Sequence, residues 1–66
     1  MKVKYTLKSK GAESRYKMKV GDSVILELSN VNTIAANGQL KAAIEEKFGV
    51  KISASPQSSN FIREKA

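Results

Sequence analysis

The N-terminal part of the chain alternates between apolar and polar positions, which is the pattern of β-strands with one buried and one solvent-exposed face. Residues 2–8, 15–20 and 23–29 each show this alternation. Residues that favour turns separate them, at positions 10–13 and 21–22. The pattern predicts three consecutive antiparallel strands, of which the first two form a hairpin.

The predicted hairpin has a register in which all apolar side chains share one side of the sheet. In this register Tyr5 lies opposite Met18, because residues directly opposite in an antiparallel pair point to the same side. For the apolar side chains of the third strand to lie on the same side of the sheet, Val20 must lie opposite Val24. We therefore expect a three-residue loop or a bulge between the second and third strands.

After the third predicted strand the spacing of apolar residues changes from two to four. The residues that recur at this spacing are Leu40, Ile44 and Phe48. This spacing predicts an amphipathic helix over residues 33–48, packed on one face of the sheet. Either Thr33 or Asn37 could cap its start, and Gly49 is the residue type that usually ends a helix.

The C-terminal residues give weaker signals of regular structure. Residues 50–54 alternate again and could form a short fourth strand, whereas Pro56 and the polar residues around it interrupt the pattern. We expect residues 1–55 to form a single small α+β domain, a three-stranded antiparallel sheet in the order β-β-β-α. We expect residues 56–66 to form a flexible C-terminal tail.

The apolar side of the predicted sheet and the apolar side of the helix form one core. Its predicted members are Val3, Tyr5, Leu7, Tyr16, Met18, Val20, Val24, Leu26, Leu28, Ile34, Leu40, Ile44, Phe48, Val50 and Ile52. The two tyrosines are therefore predicted to be core residues and not platforms on which nucleic-acid bases stack.

The composition is that of a folded domain without the usual catalytic side chains. The chain has 66 residues, of which 41% are hydrophobic and 27% charged. It has no Cys and no His, which excludes disulfides, thiolate or imidazole metal ligands, cysteine nucleophiles and the commonest general base. No Gly-rich loop matches a phosphate-binding motif. We expect a non-enzymatic protein without a cofactor or a metal.

The apolar runs in the sequence are short. The longest, residues 24–26, is far from the roughly 20 residues that span a bilayer. The first eight residues alternate lysine with apolar groups and do not form the apolar run of a signal peptide. We expect a cytoplasmic protein.

The basic charge is concentrated in the first third of the chain. Twelve Lys and Arg residues against six Asp and Glu residues give a net charge of +6. Residues 1–20 account for the whole excess, because residues 21–66 hold equal numbers of both signs. Such a charge favours polyanionic partners, nucleic acid above all. The candidate nucleic-acid-binding residues are Lys2, Lys4, Lys8, Lys10, Arg15, Lys17 and Lys19.

The predicted hairpin presents these basic side chains on the face of the sheet that the helix does not cover. Lys4 would lie opposite Lys19 and Lys8 opposite Arg15, and like charges directly across a strand pair are mildly destabilising. Phosphates lying across the sheet would relieve this repulsion and release counterions. Lysines on exposed strands also suppress aggregation without any ligand, and the pattern leaves both explanations open.

Three strands followed by one helix are similar in architecture to the arm-binding domains of phage-type integrases and to plant AP2-type domains. The resemblance is one of element order and a basic face, without a shared sequence motif, and it implies DNA binding through the open face of the sheet. Lysine-rich faces favour phosphate contact over base reading. We expect a small protein that binds DNA or RNA phosphates through the basic face of its N-terminal hairpin.

The alternative function is a protein-interaction module, such as an adaptor or inhibitor, which could also form a dimer. It would use an exposed strand edge and the surface around Ile25 and Phe61. Ile25 separates the two hypotheses, because it lies on the polar side of the predicted sheet, where a protein interface would bury it.

Overall fold

Three strands and two helices follow one another along the chain. The computed structural model describes residues 1–66. The elements are β1 (Lys2–Leu7), α1 (Glu13–Tyr16), β2 (Ser23–Glu27), α2 (Asn37–Phe48) and β3 (Phe61–Lys65). Short 3-10 helices precede α1 and β3, at Lys10–Ala12 and Ser58–Asn60. The strands form one antiparallel sheet in the order β2-β1-β3, so the predicted class, a small α+β fold with a three-stranded antiparallel sheet and one main helix, is confirmed.

β1 occupies the centre of the sheet and pairs with a neighbour on each side. The backbone groups of its odd-numbered residues point to β2, as in the hydrogen bond from the Leu7 N–H to the Asp22 carbonyl at 2.9 Å. Those of its even-numbered residues point to β3, and the Lys8 N–H continues this series to the Asn60 carbonyl at 3.0 Å. Each backbone group of the central strand therefore faces a partner strand.

The predicted hairpin is wrong, because β1 pairs with β2 and not with residues 15–20. Tyr5 lies opposite Val24, so the apolar side chains of the pair still share one side of the sheet. The same register sets Lys2 opposite Glu27, whereas the hairpin would have set basic side chains against each other. The observed pairing therefore satisfies both the apolar pattern and the charges.

Residues 13–16 form the single helical turn of α1 and do not begin a strand. Ala12 and Tyr16 are four residues apart and both are buried, which is the spacing of one helix face. Glu13 lies in the first turn, where the helix dipole favours a negative charge. Lys17 ends the helix in the left-handed conformation. This short turn buries Tyr16 as the predicted strand would have done.

A tight turn connects α1 to β2. At this place the sequence predicts a three-residue loop or a bulge that sets Val20 opposite Val24. The Asp22 N–H donates to the Lys19 carbonyl at 2.9 Å. Gly21 adopts a φ of 98°, as the third position of a type II turn requires. Val20 occupies the second position of this turn and is 48% exposed, so its predicted place in the core is wrong.

α2 begins later than the sequence predicts, because Tyr5 holds the chain that precedes it. The Tyr5 hydroxyl accepts a hydrogen bond from the Ala35 N–H at 3.2 Å and donates one to the Thr33 carbonyl at 3.5 Å. The predicted caps make no side-chain hydrogen bond there, and Ala36 occupies the N-cap position. The predicted end of the helix is confirmed, since Gly49 has a left-handed φ of 63°.

The end of the chain forms β3, where the sequence predicts a flexible tail at residues 56–66. β3 pairs antiparallel with β1 and supplies the partner that the even-numbered residues of β1 need. Phe61 is buried, and its ring stacks on the ring of Tyr16 with 5.8 Å between centroids and 11° between planes. The aromatic side chain of Phe61 therefore fixes this strand to the core.

The possible fourth strand at residues 50–54 does not form. Ile52 is nevertheless buried as predicted, and it reaches the core from an irregular segment. Its N–H donates to the Glu45 carboxylate at 3.0 Å, so α2 and not a neighbouring strand holds this part of the backbone.

The core lies between one side of the sheet and the helices. Ile34 was predicted to be in it but is 70% exposed, because it precedes α2 and does not lie on its apolar face. Three residues outside the prediction join the core, namely Ala12, Ala35 and Phe61. The predicted core residues that are buried are Val3, Tyr5, Leu7, Tyr16, Met18, Val24, Leu26, Leu40, Ile44 and Ile52. Leu28, Phe48 and Val50 are partly buried against them.

Candidate nucleic-acid interface

The side of the sheet opposite the core, which we call the open face, carries charges of both signs. Its side chains are Lys2, Lys4, Thr6, Ser23, Ile25, Glu27, Ile62 and Glu64. Lys2 lies opposite Glu27 across the β1–β2 pair, and Lys4 lies opposite Glu64 across the β1–β3 pair. Two lysines and two glutamates leave this face without net charge. The prediction of a basic sheet face is therefore wrong.

The repulsion between basic residues that the sequence suggested is also absent. Lys19 and Arg15 lie outside the sheet, so neither faces Lys4 or Lys8 across a strand pair. The need for phosphates to relieve that repulsion disappears with it. The similarity to the integrase and AP2-type domains depends on three consecutive strands, and it does not extend to this fold.

Two exposed isoleucines lie among the charges of the open face. Ile25 on β2 is 45% exposed and Ile62 on β3 is 48% exposed. Phe61, which the sequence grouped with Ile25 in an interaction surface, lies in the core instead. The apolar part of this face is therefore formed by the two isoleucines.

The chain terminus contributes a further charged contact at the edge of the open face. The Met1 ammonium lies 2.8 Å from the Glu27 carboxylate and donates a hydrogen bond to the Leu28 carbonyl at 2.6 Å. The hydrogen bond from this ammonium, followed by its positive charge and that of Lys2, holds the pKa of Glu27 below its ordinary value of 4.5. Glu27 therefore stays ionised at neutral pH.

Residues 8–19, which we call the basic segment, hold most of the uncompensated charge. The segment has five basic side chains and one acidic one, a net charge of +4. That acidic group, the Glu13 carboxylate, accepts a hydrogen bond from the Val20 N–H at 2.8 Å. The nearby Asp22 carboxylate accepts one from the Lys19 N–H at 3.0 Å. Both carboxylates therefore serve the backbone and not a basic side chain.

None of the lysine and arginine side chains of the protein forms an ion pair. The only pair with nitrogen and oxygen within 4.0 Å is the one between the Met1 ammonium and Glu27. With five cations against the single carboxylate of Glu13, the basic segment gives this part of the surface a positive potential.

A groove that opens to solvent brings the basic segment together with a residue from beyond α2. Its walls carry three basic side chains, Arg15, Lys17 and Lys51, and no acidic one. Two hydroxyl groups, those of Ser14 and Ser53, lie beside them. Ammonium, guanidinium and hydroxyl groups all donate hydrogen bonds to phosphate oxygens. The side chains that line the groove therefore carry hydrogen-bond donors of the kind that anions accept from.

Lys51 was not among the predicted site residues. It is distant from the basic segment in the sequence, and it comes to the groove because its neighbour Ile52 packs into the core. No local pattern in the sequence signals this arrangement, which depends on the tertiary fold.

Arg15 is positioned by the ring of the next residue. Its guanidinium carbon lies 5.8 Å from the centroid of the Tyr16 ring, a cation–π contact. The Tyr16 hydroxyl accepts hydrogen bonds from the Gln57 N–H at 3.1 Å and from Asn60 Nδ2 at 3.0 Å. The short helix α1 is thus fastened to the C-terminal part of the chain, and it presents Arg15 from a fixed backbone.

Lys17 lies in the groove wall in a strained backbone conformation. It is the only residue other than glycine with a positive φ, at 52°. This conformation costs an L-residue roughly 1 kcal/mol, and glycine or asparagine usually takes such a place at the end of a helix. A lysine here keeps a cation in the groove at some cost in stability.

The other predicted site residues lie apart from the groove. Lys2 and Lys4 lie on the neutral open face. Lys8, Lys10 and Lys19 are exposed on the basic segment but do not line the groove. The seven predicted residues therefore divide into two on the sheet and five on the basic segment.

Exposed aromatic rings are absent from this surface. Tyr5 and Tyr16 are buried, as predicted, and Phe61 is buried between them. The surface therefore offers cations and hydroxyl groups to a ligand and no ring on which a base could stack.

Other features of the chain and comparisons with known proteins add no functional assignment. No helix combines the length and the apolar character needed to cross a membrane. No three acidic side chains are grouped so that they could hold a metal ion. No family model matches the chain, and comparisons with curated proteins and with solved structures find no match.

Proposed function

We propose that this chain is a small, non-enzymatic nucleic-acid-binding protein that contacts phosphates through the basic segment and Lys51. The observation that carries the proposal is the groove lined by Arg15, Lys17 and Lys51, in which no carboxylate lies within ion-pairing distance of any cation. A sugar–phosphate backbone, with its regularly spaced negative charges, is the polyanion that such a group of cations fits.

The residues of the groove differ in what they give to a phosphate. The guanidinium of Arg15 can donate two parallel hydrogen bonds and is already oriented by Tyr16. Lys17 and Lys51 act as point charges on either side. Arg15 is therefore the residue that orients the sugar–phosphate backbone of the nucleic acid. The lysines supply electrostatic attraction that depends little on geometry.

The remaining cations of the basic segment extend the contact beyond the groove. Lys8, Lys10 and Lys19 are exposed on the same segment, and each could meet a further phosphate. Because the surface has no exposed aromatic ring and few groups that read base edges, we expect binding with little sequence preference. We expect this function in the cytoplasm, a compartment that contains nucleic acid.

The test is fluorescence anisotropy with labelled double-stranded DNA, single-stranded DNA and RNA, titrated with the protein at two salt concentrations. Each phosphate contact adds about 0.9 to the slope of log affinity against log salt on duplex DNA. Three contacts in the groove would therefore weaken binding about 40-fold between roughly 50 and 200 mM salt. The triple variant Arg15→Gln, Lys17→Gln, Lys51→Gln should lose this part of the slope.

The matched control removes the same number of charges from the sheet, in the variant Lys2→Gln, Lys4→Gln, Lys65→Gln. This sheet variant should bind DNA more tightly than the groove variant. Long-range attraction falls equally in both variants, but only the groove variant loses direct phosphate contacts. Equal affinity of the two variants, or no binding by the unaltered protein at the lower salt, would contradict the proposal. In the second case the lysines serve solubility.

A further inference from the structure

The sheet has two outer edges, and they differ in how well they are protected against a further strand. β3 carries three consecutive charged residues, Arg63, Glu64 and Lys65, and charges on an edge strand oppose pairing. β2 carries a single charge, Glu27 at its end, whose carboxylate contacts the Met1 ammonium. The outer edge of β2 therefore lacks the charged residues that protect β3.

The backbone groups on the outer edge of β2 follow from its pairing with β1. The hydrogen bonds at the two ends of this pairing use Asp22 and Leu28. In an antiparallel ladder only alternate residues bond to the same neighbour, so the even-numbered residues of this strand face β1. The residues whose N–H and C=O groups point outwards are Ser23, Ile25 and Glu27.

Helix α2 runs beside this edge without closing it. The Gln39 side chain donates a hydrogen bond to the Glu27 carbonyl at 3.2 Å. A groove remains between strand and helix, lined by Val24, Ile25, Ala43, Glu46 and Lys47. The small side chain of Ala43 and the 45% exposure of Ile25 leave room for a strand to approach.

We propose that β2 pairs with β2 of a second copy of this chain, about a two-fold axis at Ile25, to form a six-stranded antiparallel sheet. In this register Ile25 lies opposite Ile25 of the second copy, and Ser23 lies opposite Glu27 of the second copy. The outward-pointing groups of Ser23 and Ile25 then gain partners. The Glu27 carbonyl accepts an N–H of the second copy beside or in place of the Gln39 amide, and no like charges face each other.

The strand is complementary to itself, which is why a second copy fits this edge. A two-fold interface uses the same patch on both partners, and this strand has an apolar centre between a serine and a glutamate. On the helix side the axis sets Val24 opposite Leu26 of the second copy, so the two cores become continuous. On the open face the exposed surface of Ile25 is covered by its own counterpart.

The pairing also closes the assembly. Each copy uses its one weakly protected edge, and the six-stranded sheet then ends on β3 at both sides. The charged residues of that strand stop further addition. The expected product is therefore a dimer and not a fibre.

The experiment is sedimentation equilibrium without nucleic acid, over protein concentrations from about 10 µM to about 1 mM, the range in which small interfaces associate. The mass should rise from 7.2 kDa to twice that value. Ile25→Lys should remain at 7.2 kDa, because it sets two ammonium groups against each other at the axis. Ile62→Lys is the matched control, since Ile62 is equally exposed on the open face of β3, and it should still dimerise.

Hydrogen exchange locates the interface. In the unaltered protein the amide protons of Ser23, Ile25 and Glu27 should exchange more slowly as the concentration rises, while those of Val24 and Leu26 stay protected at all concentrations. Circular dichroism of both variants checks that they are folded.

Four results would overturn the proposal. The first three are a mass of 7.2 kDa at every concentration, an equal loss of association in both variants, and protection that appears on β3 instead of β2. Binding of extended peptides to the β2 edge without self-association would overturn it as well. Because no nucleic acid is present, none of these results bears on the proposed phosphate contacts.

Discussion

The open face of the sheet and the basic segment hold their cations in opposite ways. On the open face Lys2 and Lys4 each lie opposite a glutamate, and the charges cancel. In the basic segment the one carboxylate, that of Glu13, is occupied by a backbone N–H, and the cations stay uncompensated. The difference shows that charge counted along a chain does not locate a charged surface, because strand pairing decides which charges meet.

The largest expected effect comes from Phe61, whose ring lies in the core between the sheet and the helix α1 of the basic segment. Its centroid lies 5.8 Å from that of Tyr16 in α1 and 6.0 Å from that of Tyr5 in β1. Phe61→Ala should lower the free energy of unfolding by about 3–5 kcal/mol, a large share of the stability of so small a domain. Thermal unfolding followed by circular dichroism measures the loss.

The neighbouring Ile62→Ala is the control, because this exposed side chain leaves the core intact and should cost less than about 1 kcal/mol. If the Phe61 variant unfolded at the temperature of the unaltered protein, the ring of Phe61 would not hold the sheet and α1 together.

An intermediate effect is expected at Lys17, where charge and backbone strain can be separated. Lys17→Gly and Lys17→Asn relieve the left-handed strain and should raise the free energy of unfolding by up to about 1 kcal/mol. Lys17→Gln keeps the strain and should leave stability unchanged. All three remove one cation and should lower the salt slope of DNA binding by about 0.9.

Urea denaturation and anisotropy titrations measure the two quantities on the same samples. A glycine variant no more stable than the glutamine variant would show that the conformation carries no strain. Different salt slopes among the three would show that backbone geometry, and not charge, sets the contact.

The smallest expected effect concerns the charge pairs of the open face. Lys4→Glu sets a second carboxylate opposite Glu64 and should destabilise the fold by about 0.2–1 kcal/mol. Adding Glu64→Lys restores an opposite pair and should recover that loss, as denaturant midpoints would show. The double variant keeps the net charge, so its DNA affinity should match that of the unaltered protein. Weaker binding by the double variant would place the interface on the open face.

The sequence predicts the fold class and most of the core because period-two alternation marks a half-buried strand whatever its partner is. The alternation does not identify which segment of the chain pairs with that strand. Residues 13–16 fit a strand as well as a helix, since one helical turn also buries Tyr16. β3 escapes detection because Arg63 and Lys65 lie on the side of the sheet that bears Phe61, so its alternation is not one of apolar and polar residues.

The site is predicted in part. Arg15 and Lys17 were identified as candidates from the excess of positive charge, but on a hairpin face that does not exist. Their placement in a groove follows from the αL end of α1 and from the burial of Tyr16. Lys51 could not be found from local spacing, because packing alone brings it to Arg15.

The position of β1 has a consequence for how the protein is made. This strand leaves the ribosome before the other elements, yet one of its two partners, β3, is synthesised after all of them. The nascent chain can pair β1 with β2 early, but the sheet cannot be completed until residues 61–65 have emerged from the exit tunnel. Closing this longest loop is an entropic cost paid late, and we expect it to set the rate of folding.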